Sequence, residues 1–316
     1  MTGREFEIID RFFRPISNDS PDQVILGPGD DCAVLTVPAD RQLCVSTDTL
    51  IEGVHFPVDA SADVVAQRTM AANLSDLAAM GAEPHAFVLA MTLPSVDERW
   101  LGDFSERLSR LASRYAIPLV GGNLSRGPLS LTMTVMGVVP VQGAVLRSGA
   151  MPGDDLYVSG TPGDAAHGLA KYQSDERTGY LVERYLSPTP RIESGEALRA
   201  IVSAMIDVSD GLIADLGHLT DASGVGAVLN LEDLPVSDEL LDDAGRELAI
   251  DLVLAGGDDY ELCFSAPPER AGDIAELAST LSVPLTRIGQ TDAKAGIRLI
   301  DGGIVVNRSL SGYEHF

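Results

Sequence analysis

Acidic residues in this chain cluster beside glycine or hydroxyl-bearing residues. Four clusters flank apolar strand-like runs and a fifth lies in a helix-like segment; they are Gly-Pro-Gly-Asp-Asp at 27–31, Ser-Thr-Asp-Thr at 46–49, Asn-Leu-Ser-Asp at 73–76, Asp-Val-Ser-Asp-Gly at 207–211 and Gly-Gly-Asp-Asp-Tyr-Glu at 256–261. Carboxylate and hydroxyl oxygens suit hard divalent cations, and Mg²⁺ usually joins one or two carboxylates to substrate phosphates. The recurrence therefore indicates a magnesium-dependent site that handles phosphates.

Each cluster taken alone has an ordinary structural explanation. The turn at 27–31 can simply precede a strand, and the hydroxyls at 46–49 can form a turn or a helix cap. An arginine could pair with Asp76 among its apolar neighbours, because an unpaired buried charge is costly. Ser209 could be the N-cap of a helix with Asp210 in its first turn, although capping does not explain Asp207 at the end of a buried run.

The overall charge excludes several classes of partner. The chain has 316 residues, of which 47 are acidic and 22 basic, and its formal net charge is −25. Such a field repels nucleic acid and anionic membrane surfaces, so we expect neither as a partner. Polyphosphate could bind only through Mg²⁺ bridges and a few arginines. Arg147, in the Gly- and Pro-containing segment 147–153, is the candidate arginine, and an ordinary salt bridge is its alternative role.

Common catalytic and metal-binding motifs do not occur in the sequence. The two lysines, Lys171 and Lys294, lie outside any P-loop pattern, and there is no nucleophile elbow or HExxH zinc motif. Cys32, Cys44 and Cys263 form no CxxC pair, which favours a reducing cytoplasm. No apolar run reaches the length of a membrane span, no secretion signal is recognisable, and no side chain stands out as a general base.

The pattern of apolar residues predicts an α/β protein in two halves. Strands alternate with helices, and the segment 147–153 marks a boundary, so we predict domains at 1–148 and 149–316. Helical spacing predicts helices at 3–14, 63–80, 97–115, 163–173, 178–186, 191–203, from about 209 and at 268–281. Strand-like composition predicts strands at 32–38, 42–50, 86–93, 129–139, 204–208 and 297–306.

Seven motifs, in this order, resemble the thiamine-monophosphate kinase family. They are GPGDDCAV, STDTLIEGVHF, NLSDLAAMGA, RSGAMPGD, DVSDGL, GGDDYEL and GYEHF, and the resemblance extends from about residue 4 to residue 316. The family belongs to an ATP-binding superfamily with aminoimidazole ribonucleotide synthetase and selenophosphate synthetase. The resemblance implies an α/β (α+β) fold with an N-terminal mixed-sheet domain that binds ATP and Mg²⁺ and dimerises by its sheet. A C-terminal α/β domain would follow, with ATP in the cleft between the two.

The resemblance also implies an activity and a set of site residues. The γ-phosphoryl group of ATP would pass directly to thiamine monophosphate, giving thiamine diphosphate and ADP, in a cytoplasmic homodimer. Several Mg²⁺ ions would be held by Asp30, Asp31, Ser46, Thr47, Asp48, Asp76, Asn123, Asp207 and Asp210. ATP would contact Gly121, Gly122, Asn123, Arg147 and Ser209. The thiamine end would contact His55, Asp258 and Tyr313, whose ring could stack on an aromatic heterocycle.

Two positions depart from the family pattern. The family usually has Asp where this chain has Asn123, whose neutral amide oxygen is a weaker metal ligand, and many relatives carry Glu at the position of Asp258. A general base is not required, because phosphoryl transfer depends mainly on positioning and charge neutralisation. Two alternatives stay open: another ATP-using enzyme of the superfamily with a different acceptor, and a non-catalytic relative that binds ATP or Mg²⁺.

Overall fold

The computed structural model describes residues 7–17 and 22–308 of the chain. The chain divides into two compact units, the first formed by residues up to Leu77 together with Ala82–Gln142, and the second by Ala78–Gly81 together with the residues from Gly143 onward. The boundary predicted from sequence, between 148 and 149, falls slightly inside the second unit. Each unit has its own sheet.

The first unit contains a mixed four-stranded sheet. Two short strands, β1 (Val24–Leu26) and β2 (Val34–Leu35), pair with each other outside it. The larger sheet has the order β3-β6-β4-β5, with β4 and β5 parallel and the other pairs antiparallel. Its strands are β3 (Arg41–Ile51), β4 (Glu83–Leu93), β5 (Leu119–Arg126) and β6 (Ser130–Pro140). Where a helix was predicted at 3–14, the described part forms a π-helical turn at Ile9–Phe13 and a 3₁₀ turn at Arg14–Ser17.

Two long helices belong to this unit, apart from the last two residues of the first helix, and that first helix lies against the sheet. These are α1 (Ala62–Ala79) and α2 (Glu98–Arg114), and Asp97 caps α2 by accepting from the N–H groups of Arg99 and Trp100. Residues of β3 alternate between the sheet faces, so that Ser46, Asp48 and Leu50 face α1 while Val45, Thr47 and Thr49 face the opposite way. The opposite face is open, and Val45 on it is 58% exposed.

The second unit contains a seven-stranded sheet with the order β13-β12-β9-β11-β7-β10-β8. Neighbouring strands are antiparallel except β9 and β12, which are parallel. The strands are β7 (Asp155–Ser159), β8 (Ala204–Val208), β9 (Gly226–Asn230), β10 (Glu261–Ala266), β11 (Leu285–Asp292), β12 (Gly296–Asp301) and β13 (Ile304–Val306). Every residue of β8 and of β10 is buried, including Asp207 of β8 and Glu261 and Ser265 of β10.

Six helices accompany this sheet in the part of the chain that the structure describes. They are α3 (Asp164–Gln173), α4 (Tyr180–Leu186), α5 (Ile192–Leu198), α6 (Leu212–Ser223), α7 (Asp238–Ala255) and α8 (Ala271–Leu281). The sequence prediction missed β11 and α7, and it extended α5 to residue 203. Gly245 has a non-helical φ of 71° inside α7 and divides this helix at a kink. The two parts therefore do not share one regular repeat of apolar residues, which is the signal that a helix prediction needs.

The predicted fold class is confirmed by this architecture. The N-terminal sheet is mixed, and both units combine helices with a sheet, as an α/β (α+β) protein of two domains requires. Among the residues that the structure describes, no helix combines the length and the apolar character needed to cross a membrane.

Candidate functional site

Three of the predicted magnesium ligands meet where β3 packs against α1. Ser46 and Asp48 are two residues apart on β3, and their side chains therefore lie on the same face. The Ser46 hydroxyl donates a hydrogen bond to Asp76 of α1. The main-chain N–H of Asp48 donates to Oδ1 of Asn73, one turn before Asp76, at 3.1 Å. Two carboxylates and a hydroxyl thus form one half-buried oxygen cluster in the first unit.

Thr47, the remaining predicted ligand of β3, has its side chain on the opposite face of the sheet. Its Oγ1 is 2.7 Å from Oγ1 of Thr134 on β6, and its side chain is exposed. The structure therefore does not bring the Thr47 hydroxyl to Asp48 and Asp76. The period-two alternation of a strand could have predicted this separation from the sequence.

A cavity of about 520 Å³ in the first unit is lined by two other segments that the sequence analysis assigned to the site. Its wall includes Asp30 and Asp31 together with Gly121, Gly122 and Asn123, with apolar side chains among the remaining lining residues. Oδ1 of Asp30 accepts the main-chain N–H of Asp31 at 2.8 Å, so the acidic turn is held by its own side chain. The amide nitrogen of Asn123 donates to Ser125 Oγ at 2.9 Å, which makes its amide oxygen the atom that could serve as a ligand.

Gly122 is required by the backbone geometry of the cavity wall. A Cβ on Gly122 would collide with the main-chain carbonyl of Leu89 on the neighbouring strand β4. A side chain at this position would therefore force β5 away from β4. Glycine lets the main chain itself form the wall at this point.

Arg14 is a cavity residue that the sequence analysis missed. Its Nε donates to Oδ1 of Asp10 at 2.8 Å, and its Nη1 donates to the carbonyl oxygen of Pro28 at 3.3 Å. The guanidinium group also lies beside Gly29, whose φ is 131°. Arg14 thereby fixes the acidic turn from the N-terminal segment, and no motif in the sequence marks it for this contact.

His55 is held in one orientation by two contacts in the first unit. Its Nδ1 accepts the main-chain N–H of Ile51 at 3.0 Å, so in the neutral ring the proton is on Nε2. Arg68, which is completely buried in α1, donates from Nε and Nη2 to the carbonyl oxygen of His55, at 3.2 and 3.0 Å. Sequence reasoning missed Arg68, although an arginine among the apolar residues of a helix was a usable signal.

The predicted ligands of the second unit lie at the turn after β8. Asp207, 6% exposed, is the penultimate residue of the strand, and Ser209 and Asp210 follow the strand half-buried. The proposed N-cap role of Ser209 is wrong, because α6 begins after Gly211, which has a φ of 115° and occupies the cap position without any side-chain cap. The N–H groups of Ser209 and Asp210 instead donate to Oδ2 of Asp215, at 3.0 and 3.1 Å.

Asp258 lies beside this turn. Its main-chain N–H donates to the carbonyl oxygen of Ser209 at 2.9 Å, and the N–H of Tyr260 donates to that of Val208 at 2.9 Å. Oδ1 of Asp258 accepts from the Tyr260 hydroxyl at 3.1 Å. The structure thus joins the predicted nucleotide contact Ser209 and the predicted thiamine contact Asp258 by a main-chain hydrogen bond.

The two acids that follow Asp258 in the same motif have structural partners. Asp259 accepts the N–H groups of Gly163 and Ala165, at 2.6 and 3.1 Å, at the start of α3, and burial raises its pKa well above the usual range. Burial alone would also raise the pKa of Glu261, but the guanidinium groups of Arg191 and Arg184, at 2.5 and 2.8 Å, outweigh it and hold that pKa below its usual value. Both acids are therefore part of the framework of the second unit.

Arg147 is exposed and lies at the other end of α6. The hydroxyl of Ser223 donates to the carbonyl oxygen of Arg147 at 3.0 Å, and it accepts from the N–H groups of Gly149 and Ala150, at 3.2 and 3.1 Å. Because α6 has twelve residues and is about 18 Å long, the backbone of Arg147 is not beside Ser209 and Asp210. Tyr313 lies outside the described residues.

The donor atoms of the predicted site fit Mg²⁺. Within residues 7–17 and 22–308, no group of three or more His, Cys, Asp or Glu residues could hold a metal ion. Mg²⁺ does not require such a group, because it binds one or two carboxylates and completes its shell with water and phosphate oxygens. The cluster of Ser46, Asp48 and Asp76 offers only oxygen ligands, as this ion demands.

Comparisons with known proteins extend over nearly the whole chain. Residues 29–139 match the family model of the AIR synthase related protein, N-terminal domain, and residues 151–302 match that of its C-terminal domain. The chain is 47% identical over 323 residues to a thiamine-monophosphate kinase of Salmonella typhimurium, covering 100% of this chain and 99% of the relative.

Solved structures agree with this relationship. The crystal structure of thiamine-monophosphate kinase from Stenotrophomonas maltophilia K279a is 44% identical, with a TM-score of 0.87, and the match covers 94% of this chain and 96% of that one. A structure of AaThiL complexed with AMPPCP and TMP is 30% identical, with a TM-score of 0.79 and coverage of 99% and 97%. With this identity along its full length, the chain belongs to the thiamine-monophosphate kinase family.

Proposed function

We propose that this protein transfers the γ-phosphoryl group of ATP to thiamine monophosphate. An oxygen of the acceptor phosphate forms the new bond to the γ-phosphorus, the bond from that phosphorus to the bridging oxygen breaks, and the products are thiamine diphosphate and ADP. The observation that carries the proposal is the match of 99% of this chain to a structure that holds both AMPPCP and TMP.

Magnesium ligation is assigned to the oxygen clusters of the two units. Ser46, Asp48 and Asp76 would hold Mg²⁺ in the first unit, and this role is supported by the contact of Ser46 with Asp76 and by the hydrogen bond that joins Asp48 to Asn73, one turn before Asp76. The remaining proposed ligands are Asp30, Asp31, Asn123, Asp207 and Asp210. Thr47 would contribute only its main-chain oxygen, because its hydroxyl lies on the opposite face of the sheet. When bound, Mg²⁺ neutralises the charge of the phosphates, which an acidic protein cannot do with its own side chains.

Substrate contacts are assigned to residues of both units. Gly121, Gly122 and Asn123 would contact ATP from the cavity of the first unit, and their shared wall with Asp30 supports this. Arg147 and Ser209 would contact ATP from the second unit. His55 would donate from Nε2–H to an acceptor atom of thiamine monophosphate, with Asp258 and Tyr313 as the other contacts at that end.

No residue needs to act as a general base in this reaction. The attacking phosphate oxygen is already anionic near neutral pH, so the enzyme has to align it and stabilise the charge that develops. This agrees with a site composed of metal ligands and fixed hydrogen-bond donors. The proposed catalysis therefore depends on position rather than on proton transfer.

Purified protein incubated with ATP, Mg²⁺ and thiamine monophosphate tests the proposal. We expect thiamine diphosphate and ADP in equal amounts, detected by chromatography, and loss of both products when EDTA removes the metal. Other anionic acceptors offered in competition should not consume ATP faster. Absence of thiamine diphosphate at saturating Mg²⁺ would overturn the proposal.

The same proposal includes a cytoplasmic homodimer formed through the open face of the first unit's sheet. That face carries exposed apolar side chains at Leu43, Val45 and Ile51, and covering such a patch with a second copy would remove it from water. The three free thiols support a reducing compartment. Sedimentation should give a dimer for the wild type and a monomer for Val45→Glu, and a wild-type monomer would exclude this interface.

A further inference from the structure

Asp215 lies beside the turn that carries Ser209 and Asp210, directly after β8 with its Asp207, and none of the motif assignments includes Asp215. It is in the first turn of α6 and is 4% exposed. Its Oδ2 accepts the main-chain N–H groups of Ser209 and Asp210, at 3.0 and 3.1 Å. One buried oxygen therefore holds two consecutive peptide groups of the turn.

This contact is not ordinary helix capping. The cap position of α6 is Gly211, and the Asp215 carboxylate reaches past it to residues that precede the helix. Gly211 itself cannot carry a side chain, because a Cβ would lie 2.8 Å from the main chain of Ala255. Asp215 thus fixes the turn from one side while the backbone of α7 restricts it from another.

The same turn is joined to the loop of Asp258. The carbonyl oxygen of Ser209 accepts from Asp258, at 2.9 Å, so the peptide groups on both sides of Ser209 are fixed. Gly257 makes this approach possible, since a Cβ there would lie 2.5 Å from the Ser209 carbonyl oxygen. A shift of the turn would therefore also move Asp258.

We propose that Asp215 is a positioning residue that sets the geometry of Ser209 and Asp210 for the nucleotide and its Mg²⁺ and, through Ser209, the place of Asp258. This inference rests on the proposed function for the identity of the ligands. It requires only that Oδ2 accept two N–H groups, a task that an asparagine amide oxygen can also perform. The carboxylate itself is not assigned any contact with substrate.

Binding of Mg²⁺–AMPPCP, measured by calorimetry, tests the inference separately from catalysis. Asp215→Ala should raise Kd about tenfold or more, and Asp215→Asn should stay within about threefold of the wild type, because it keeps the acceptor oxygen. Asp221→Ala, an exposed residue of the same helix, is the matched control and should bind as the wild type does. A wild type that binds Mg²⁺–AMPPCP without making thiamine diphosphate would overturn the proposed function and leave this test intact.

Kinetics with thiamine monophosphate provide the second readout. Asp215→Ala should raise KM for Mg²⁺–ATP and the Mg²⁺ concentration that gives half-maximal rate, and Asp215→Asn should restore both. A merely structural role would lower the folded fraction without changing either value. If Asp215→Ala does not fold, Asp215→Ser replaces it with the same expectation, since its hydroxyl is too short to reach both N–H groups. Unchanged nucleotide affinity in the folded Ala or Ser variant, or equal loss in Asn and Ala, would overturn the inference.

Discussion

The acidic clusters of the two units differ in the groups that contact their carboxylates. In the first unit, Asp48 and Asp76 are half-buried, and their cluster is arranged by a hydroxyl and an amide. In the second unit, Asp215 and Asp259 are buried and accept main-chain N–H groups, and Glu261 is paired with two guanidinium groups. Acidic residues that look alike in the sequence can therefore have different roles, and the groups that contact each carboxylate distinguish those roles.

This contrast predicts two kinds of mutant. Removing a charge from the first-unit cluster should reduce activity and leave the fold intact, because solvent still reaches that cluster. Removing the charge of Glu261 in the second unit should reduce stability, because two guanidinium groups are left without their partner. A first-unit variant that loses stability, or a second-unit variant that keeps its stability, would contradict this distinction.

Asp48→Asn should produce the largest effect. We expect turnover with ATP and thiamine monophosphate to fall about a thousandfold, roughly 4 kcal/mol in transition-state stabilisation, because a metal ligand loses its charge. Circular dichroism and the urea midpoint should stay at wild-type values. Asp40→Asn, the same substitution at an exposed position just before β3, is the control and should retain full activity. Wild-type turnover in Asp48→Asn would remove this residue from the metal site.

Glu261→Gln should reduce the free energy of unfolding by about 3–5 kcal/mol. Arg184 and Arg191, each 15% exposed, would lose the carboxylate that compensates their charge. Urea denaturation measures the change. The matched control is Glu247→Gln, since Glu247 is 78% exposed in its pair with Arg308 and should contribute less than about 1 kcal/mol. Equal losses in the two variants would mean that burial does not determine the value of these pairs.

The pH dependence of stability should distinguish Glu261 further. Its folded pKa is below the ordinary value of 4.5, so its contribution is fully present above pH 4.5 and is lost as the pH falls from there through the folded pKa. The wild type should therefore lose more unfolding free energy than Glu261→Gln over that acidic range. Urea titrations of both proteins at several pH values provide the comparison, and parallel curves would argue against a lowered pKa.

Asn123→Asp should have the smallest effect of the series. The added carboxylate borders the cavity that also contains Asp30 and Asp31, and it should lower the Mg²⁺ concentration for half-maximal rate by about two- to tenfold. A silent wild type rescued by this substitution would instead identify a site that has lost its function. Steady-state rates over a Mg²⁺ titration separate the two results.

The sequence predicted the α/β fold class, because alternating strand and helix patterns are local signals, and its acidic motifs mark the regions to which the candidate site is assigned. It could not predict that Asp259 and Glu261 are buried beside α3 and Arg191, since those partners are distant in the chain. The Ser209 cap failed for a related reason: the turn continues to Gly211 because Asp215 satisfies the preceding N–H groups. Tertiary hydrogen bonds, rather than propensity, decided these positions.

Gly122 has a consequence for protein engineering. Its contact with the Leu89 carbonyl means that one wall of the 520 Å³ cavity is main chain, and no choice of side chain at that position can reshape it. The cavity is also lined by Phe13 and Arg14, which lie outside the sheet, so substitutions there insert no atoms between two strands, although a change at Arg14 also removes its hydrogen bond to the Pro28 carbonyl. A design for altered ligand selectivity should therefore begin with a library at those two residues and keep the glycine fixed.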